Sequence, residues 1–120
     1  MKQTTRSKGE SGEELAKEYL AVRGYQILKS HYRYGRGEID IIAKNQSNEL
    51  IFVEVKTATG GEFGNPLSWV HKRKQAQLRK VALGYFQNEG LYDQAARFDV
   101  IGITFEEGTP HFQHVEHAFW

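Results

Sequence analysis

The stretch "GEIDIIAKNQSNELIFVEVKT", residues 37–57, contains two apolar segments separated by a run of turn-forming residues. In a β-strand, residues two apart lie on the same face, and both segments alternate in this way. Residues 38–43 and 50–57 are therefore predicted to be strands, and "KNQSN" is predicted to be the turn of an antiparallel hairpin. Because each strand also carries acidic residues, one face of the hairpin is apolar and the other bears charge.

The charged face of this hairpin is predicted to bring two carboxylates together. With the turn centred near Ser47, Asp40 lies opposite Glu54 and Ile42 lies opposite Phe52. Opposed side chains have Cβ atoms about 4.5–5.5 Å apart, and two carboxylates at about 4 Å repel by roughly 4 kcal/mol near a protein surface. Mg²⁺ would offset this repulsion, because it takes one or two protein carboxylates and completes its shell with water or phosphate oxygens.

Lys56 lies two residues beyond Glu54 on the same face, about 7 Å along the predicted strand. An ammonium group there can orient or deprotonate an attacking water, or neutralise charge on a phosphate. The alternative is an ordinary ion pair between Glu54 and Lys56 on a solvated sheet face, with Asp40 beside it. The strongly apolar strands around these residues favour the metal-dependent site.

A helix before the hairpin offers a further acid. Apolar residues at helical spacing predict this helix over residues 10–23, and Gly24 supplies a stop signal. At about 100° per residue, Glu13 lies at the edge of the apolar face, whereas Glu14 lies almost opposite it. Gly12 lies on the centre line and would allow close approach to another backbone. We expect Glu13 to reach toward the sheet, although the helix dipole alone also favours an acid in the first turn.

The remaining segments complete an α/β pattern. A strand is predicted in "YQILKSHYR", a second helix over residues 66–87 and a strand in "RFDVIGITF", while "HFQHVEHAFW" ends the chain as a short strand or irregular segment. The order α-β-β-β-α-β predicts an α/β sandwich with a central mixed β-sheet flanked by helices. Residues 1–8 are expected to be a flexible lead-in, residues 9–120 a single domain, and the glycine-rich loop at 60–64 a segment that moves over a substrate or a simple long connection.

Composition excludes several classes of site. The 120-residue chain has no cysteine, so it has neither a disulfide framework nor a thiolate metal site. No stretch approaches the roughly 18 consecutive apolar residues of a membrane span, and the polar N-terminus lacks the apolar segment of a secretory signal. These features predict a cytoplasmic protein with no membrane partner. His114 and His117 have a spacing that can hold a metal, but such a pair at a chain end is more often solvated.

Positive charge is concentrated in the first part of the chain. Residues 1–88 contain 15 Lys and Arg against 9 acids, whereas residues 89–120 contain one Arg against 6 acids. A surface of this kind suits a polyanion, and contacts to backbone phosphates carry no sequence information. An ordinary solvated surface is the alternative. The residues predicted to contact nucleic acid are on the second helix and in the loop that enters the first hairpin strand, namely Lys72, Arg73, Lys74, Arg79, Arg33 and Arg36.

Six segments, taken together, resemble a known family in order and spacing. They are "GEELAKEYLAVRGYQIL", "GEIDIIA", "FVEVKT", "WVHKRKQ", "RFDVIGI" and "HVEHAF". Over residues 9–119 they resemble the YraN family of uncharacterised bacterial proteins. That family is similar in turn to the archaeal Holliday-junction resolvases and is placed with the restriction-endonuclease-like PD-(D/E)xK nucleases. The resemblance implies a restriction-endonuclease-like sandwich.

The resemblance also implies roles for individual residues. It makes Glu13 the match to the glutamate on the first helix of the resolvases, and it matches Lys74 and Gln75 to a basic position in the second helix. The superfamily usually has proline where this chain has Ile39, as is usual for this branch. Resolvases act as dimers, so the resemblance allows a homodimer. The residues that match the signature triad are Asp40, Glu54 and Lys56.

Residues and resemblance together predict a Mg²⁺- or Mn²⁺-dependent endonuclease that hydrolyses phosphodiester bonds in DNA, with branched or damaged DNA as candidate substrates. Asp40, Glu54 and Glu13 would bind the metal, and Lys56 would assist the attacking water. An alternative is a nucleic-acid-binding accessory protein of the same fold with little or no catalytic activity. A third reading is a structural or partner-binding domain whose charged sheet face is incidental. Metal binding separates the third reading from the other two.

Overall fold

Two helices and five strands occur in the part of the chain that the computed structural model describes, residues 8–59 and 68–120. In chain order they are α1 (Lys8–Val22), β1 (Gln26–Tyr34), β2 (Gly37–Lys44), β3 (Leu50–Thr59), α2 (Lys72–Glu89), β4 (Ala96–Glu106) and β5 (Thr109–Phe119). The strands form one mixed sheet in the order β1-β2-β3-β4-β5, in which β3 and β4 are parallel and the other pairs are antiparallel. The predicted α/β sandwich is confirmed, and β5 is added to its order.

Each face of the sheet packs against one helix. On one face α1 buries Ala16 and Leu20, and on the other α2 buries Leu78 and Val81. Alternate residues of the central strands supply the two cores, as period-2 alternation requires. We call the two cores the α1-side cluster, which includes Ile41, Ala43, Ile51, Val53, Ile101 and Ile103, and the α2-side cluster, which includes Ile39, Ile42, Leu50, Phe52 and Val100.

The β2–β3 hairpin has the predicted register. Ile42 pairs with Phe52, and the side-chain oxygen of Asn45 accepts two backbone N–H groups that close the turn. The described pairing ends one residue before Asp40 is reached. Beyond this end, the N–H of Val55 donates to Asp40 Oδ2 at 2.8 Å. A side-chain oxygen therefore replaces the backbone carbonyl as the acceptor where the strand pairing ends.

The alternation of β2 is interrupted at Asp40. Ile39 packs in the α2-side cluster with Ile42, whereas strict alternation would place it with Ile41. On the neighbouring strand, His31 lies between the residues that pair with Ile39 and Ile41, and its φ of 53° is in the left-handed region. Asp40 lies at this interruption, between Glu13 of α1 and Lys74 of α2, and the charges of both groups act on its carboxylate.

Gly12 brings α1 close to the sheet, as its position on the helix predicted. The residue is buried, and a Cβ there would lie 2.3 Å from Cγ2 of Thr57 on β3. Real Cβ atoms are never found so close to another carbon, since atoms in protein interiors are packed at van der Waals contact. The first turn of α1 therefore sits directly over β3, and Glu13 follows Gly12 into this region.

The second helix begins later than the sequence predicted. It starts at Lys72, because His71 is the N-cap and its side chain accepts the N–H of Lys74 at 3.3 Å. Gly90 ends the helix with a φ of 63°, a conformation that favours glycine. The glycine-rich loop at 60–64 and almost all of the predicted lead-in lie outside the described residues. No helix in the described ranges is long and apolar enough to cross a membrane.

The end of the chain is more regular than predicted. β5 is an 11-residue strand and pairs with β4 along nearly its whole length. It forms one edge of the sheet and β1 forms the other. On β5, Phe119 stacks on Phe98 of β4 with ring centroids 4.8 Å apart, which extends the core beyond the part that α2 covers.

Candidate functional site

Asp40 on β2 lies near two further acidic side chains, Glu13 of α1 and Glu54 of β3. Asp40 accepts the N–H of Val55 at 2.8 Å, and its charge acts on the carboxyl group of Glu13. Glu54 is only 7% exposed, and its Oε1 is buried without a hydrogen-bond partner among the described residues. The structure thus brings together the three acids that the sequence analysis singled out.

Burial and mutual repulsion favour the protonated forms of these acids. Burial is the largest cause and the charge of Asp40 the second, and they raise the pKa of Glu13 and of Glu54 from 4.5 to about 7. Burial also raises the pKa of Asp40, against the opposing effects of the Val55 N–H and the charge of Lys74. The folded environment therefore disfavours the simultaneous ionisation of all three carboxyl groups.

Two lysines face Glu54. Lys74 Nζ, on α2, lies 3.7 Å from Glu54 Oε2. Burial dominates the pKa of Glu54, and the charges of Lys74 and Lys56 lower it without outweighing that burial. Lys56 is thus beside Glu54, as strand alternation predicted. Lys74, which the sequence indicated only as a phosphate contact, is in addition an ion-pair partner of the acidic cluster.

His31 contacts the cluster, and the sequence analysis missed it. Its Nε2 lies 2.6 Å from Glu13 Oε1, and its Nδ1 lies 2.9 Å from Glu38 Oε2. An imidazole with N–H groups on both nitrogens donates to both carboxylates at once, so His31 ties the first turn of α1 to the start of β2. Its position opposite Asp40 on β1 is the signal that could have revealed it, had the register of β1 been derived.

A basic cleft opens between the β1–β2 turn and the first turns of α2. Its volume is about 670 Å³, and three of the residues predicted to contact phosphates line it: Arg36, Arg73 and Lys74. Gln77 closes one side by donating to the carbonyl of Arg36 at 3.4 Å. Because Lys74 also contacts Glu54, the cleft adjoins the acidic cluster.

The other predicted basic contacts lie outside this cleft. Arg79 donates to the backbone carbonyl of Trp120 on another side of α2. Arg33 is largely exposed, and its Nη2 lies 3.9 Å from Glu38 Oε1. Lys72 is exposed at the start of α2. The structure therefore gathers three of the six predicted residues around one cleft and distributes the other three over the surface.

His114 belongs to a different polar cluster, near the C-terminal end of α1. Its Nε2 lies 2.7 Å from Oδ2 of Asp99, which is fully buried and also accepts hydrogen bonds from Arg97 and from the N–H of His117. Arg97 donates in turn to the hydroxyl of Tyr25 at 2.9 Å. Burial alone would raise the pKa of Asp99, but the hydrogen bonds from His114 and Arg97 outweigh it and lower the pKa. Both Asp99 oxygens are satisfied, so this cluster is structural and His114 is neither solvated nor free to bind a metal.

The acidic cluster suits a hard divalent cation. In residues 8–59 and 68–120, no three histidine or acidic side chains converge closely enough to hold a metal ion by themselves. Mg²⁺ needs only one or two carboxylates when water and phosphate oxygens complete its shell, and Asp40 and Glu54 could supply these. The buried Oε1 of Glu54, which has no partner in the described part of the chain, fits such an ion, because a buried oxygen without a donor is unfavourable unless a cation compensates it.

One family matches most of the sequence. The model described as "Uncharacterised protein family UPF0102" matches residues 12–103. The chain is 45% identical to a UPF0102 protein of Christiangramia forsetii, over 93% of this chain and 92% of the relative, and 43% identical to one of Geobacter metallireducens, over 95% and 93%. These matches confirm the resemblance to a family of uncharacterised bacterial proteins. Among solved structures, a repair endonuclease from Pyrococcus abyssi is similar with a TM-score of 0.47 and 11% identity, over 91% of this chain and 43% of that chain.

Proposed function

Because the chain belongs to the uncharacterised protein family UPF0102, whose description assigns no activity, we propose a function from the site itself. The protein is a Mg²⁺- or Mn²⁺-dependent endonuclease that hydrolyses phosphodiester bonds in DNA. The observation that carries this proposal is the buried carboxyl group of Glu54, which lies near the half-buried Asp40 and near two lysines and whose Oε1 has no hydrogen-bond partner among the described residues. Residues on a solvated sheet face would not be buried in this way.

Asp40 and Glu54 are the residues that would hold the cation, with Glu13 binding it directly or through a water molecule. A cation bound there supplies positive charge that polarises a phosphate and stabilises its developing negative charge. Asp40 is already aimed by the N–H of Val55, so its position does not depend on the cation. Ionisation of Glu13 and Glu54, whose pKa values lie near 7, becomes favourable once positive charge is present.

In this proposal Lys56 acts on the reacting phosphate. It lies beside Glu54 on β3, and its ammonium group can orient the attacking water and donate to the phosphate oxygens as negative charge grows on them. Lys74 is 34% exposed and sits between Glu54 and the basic cleft. It can therefore exchange its carboxylate partner for a phosphate oxygen when substrate arrives. In hydrolysis the water oxygen forms the new bond to phosphorus while the bond to one ester oxygen breaks.

The DNA backbone would lie along the basic surface next to this site. Arg36, Arg73 and Lys74 offer charge within the cleft, and Lys72 extends the surface along α2. Contacts of this kind position the backbone without reading sequence. A homodimer, which the resemblance to resolvases allows, would present two such sites to one substrate, and sedimentation analysis of the free protein tests that part of the proposal.

Cleavage assays test the proposed activity. Purified protein is incubated with supercoiled plasmid, single strands, flaps and four-way junctions in Mg²⁺ or Mn²⁺. Asp40→Asn and Lys56→Ala should lower the cleavage rate by about 100-fold or more, since each removes a group that acts on the reacting phosphate. Glu18→Gln and Lys44→Ala change the same charges elsewhere and should cleave like the unaltered protein. Equal cleavage by all four variants would rule out this site as the source of activity.

A nucleic-acid-binding protein of the same fold that does not cut is the second candidate. The observation that favours it is that no three acidic or histidine side chains converge on one point in the described part of the chain, which suits weak metal binding. Calorimetry with Mn²⁺ and the cleavage assay separate the two candidates. Metal binding that Asp40→Ala abolishes, without any cleavage of DNA, would favour the second.

A further inference from the structure

The basic cleft contains an aromatic ring as well as cations. Its lining includes Arg36, Arg73, Lys74, Lys80 and Tyr34, and none of the described lining residues is acidic. Lys80 lies two turns after Arg73 on α2, and both residues line the cleft. The cleft therefore combines strong positive charge with an aromatic surface.

Tyr34 is held in a fixed position at the edge of this cleft. A Cβ at Gly84 of α2 would lie 2.2 Å from the Tyr34 ring, so the ring packs against the helix where only glycine leaves room. The side chain is nevertheless 41% exposed and lines the cleft. A ring supported on one side and open on the other is a platform on which a nucleobase can stack.

The size of the cleft suits a short stretch of one strand. A sphere of about 670 Å³ is about 11 Å across, which spans roughly three nucleotides of one strand at about 3.4 Å each. Aromatic rings interleaved with basic residues are the features that proteins use to bind single strands, since every base has a face that can stack.

We infer that this cleft binds a single-stranded segment of DNA, with its phosphates on Arg36, Arg73 and Lys80 and one base stacked on Tyr34. Lys74 lies where the cleft meets the acidic cluster, so the bound strand leads toward that cluster. The inference rests on the proposed function for its substrate. It narrows that substrate to DNA with a single-stranded arm or gap beside the bond that is cut.

Binding of a fluorescein-labelled oligothymidylate, followed by anisotropy in EDTA, tests the inference without metal or cleavage. Lys80→Ala should weaken binding roughly fivefold to tenfold and reduce the slope of log affinity against log salt by about 0.7, the value for one lost phosphate contact on a single strand. Tyr34→Leu should weaken binding about tenfold without changing that slope. Tyr34→Phe, which keeps the ring, should bind like the unaltered protein.

The control for charge is Lys44→Ala, at the far end of β2 from the cleft, about 24 Å from Gly37 at strand spacing. It should change neither the affinity nor the salt slope. Equal affinity for the oligothymidylate and for a blunt duplex of the same length would overturn the inference, as would unchanged binding in both Lys80→Ala and Tyr34→Leu. Single-strand binding with these variant effects, but no cleavage in Mg²⁺ or Mn²⁺, would support strand binding in the cleft and refute the nuclease proposal.

Discussion

Replacing Glu54 with glutamine should stabilise the metal-free protein near pH 8 and change its stability much less near pH 5. The pKa of Glu54 is raised from 4.5 to about 7, mainly by burial and then by the charge of Asp40. Because the folded-state pKa lies above the unfolded one, the folded protein binds the extra proton between these two values. Its stability therefore falls as the pH rises from about 4.5 to about 7 and then stays constant.

The size of this effect follows from the pKa shift. A carboxyl group whose pKa rises from 4.5 to about 7 destabilises the folded state by roughly 3 kcal/mol when fully ionised. Most of this, roughly 2–3 kcal/mol, develops between about pH 5 and about pH 8. The side chain of Glu54 is 9% exposed, so solvent screens little of the effect. Glutamine keeps the shape of the side chain but never ionises, and the variant should lack this dependence on pH.

Urea denaturation in EDTA at the two pH values measures the free energy of unfolding. The advantage of Glu54→Gln over the unaltered protein should be larger near pH 8 than near pH 5 by roughly 2–3 kcal/mol. Glu18→Gln, a change at an exposed acid of α1, should show no such difference. Addition of Mn²⁺ near pH 8 should stabilise the unaltered protein and not the variant. An equal effect of Glu54→Gln at both pH values would refute the reasoning, because it would mean that ionisation of Glu54 does not lower the free energy of unfolding.

Three further changes test other parts of the structure. His31→Ala should weaken Mn²⁺ binding about tenfold or more, because it removes a hydrogen bond that orients an acid of the cluster; calorimetry measures the affinity, and His111→Ala, at an exposed histidine, should leave it unchanged. Gly12→Ala should lower the free energy of unfolding by about 1–2 kcal/mol, since overlap with Thr57 outweighs the gain in helix propensity. Adding Thr57→Ser removes the overlapping methyl group, and the double variant would have to unfold at a higher urea concentration than Gly12→Ala alone. Asp99→Ala should lower the free energy of unfolding by about 3–5 kcal/mol near neutral pH, because Arg97, His114 and the N–H of His117 lose a fully buried acceptor. The pKa of Asp99 is lowered, so its contribution is present above about 3.8 and lost as the pH falls further, and urea titrations near pH 6 and near pH 3 should show the cost shrinking in acid.

The hairpin was predictable because its pattern allows one pairing. Alternating apolar residues on both strands and a turn rich in Asn and Ser leave a single register that aligns the buried positions, and the pairing of Ile42 with Phe52 confirms it. Helical geometry likewise placed Glu13 beside Asp40. The irregularity of β2 at Asp40 was not predicted, because the left-handed backbone of His31 and the hydrogen bond from the Val55 N–H leave no trace in the local pattern.

Other features escaped prediction because they depend on contacts between distant segments. His31 lies on β1, whose polar residues give no clue to its register with β2. The length of β5 was underestimated because its polar and apolar residues alternate poorly, and its pairing with β4 decides its extent. The start of α2 was predicted too early because Pro66 is a common first residue of helices, whereas the actual N-cap, His71, is not among the residues that usually cap.

The hydrogen bond from the Val55 N–H to Asp40 couples the pairing of the hairpin strands to the formation of the acidic cluster. The donor is a backbone N–H group of β3, so the position of this strand determines the orientation of the Asp40 carboxylate. A slip of one residue in the pairing would send the side chains of a strand to the opposite face and leave this donor without its acceptor. A chain with a misaligned hairpin would therefore lack the cluster altogether. The acids can therefore bind a cation only in a chain whose central strands are paired in the correct register.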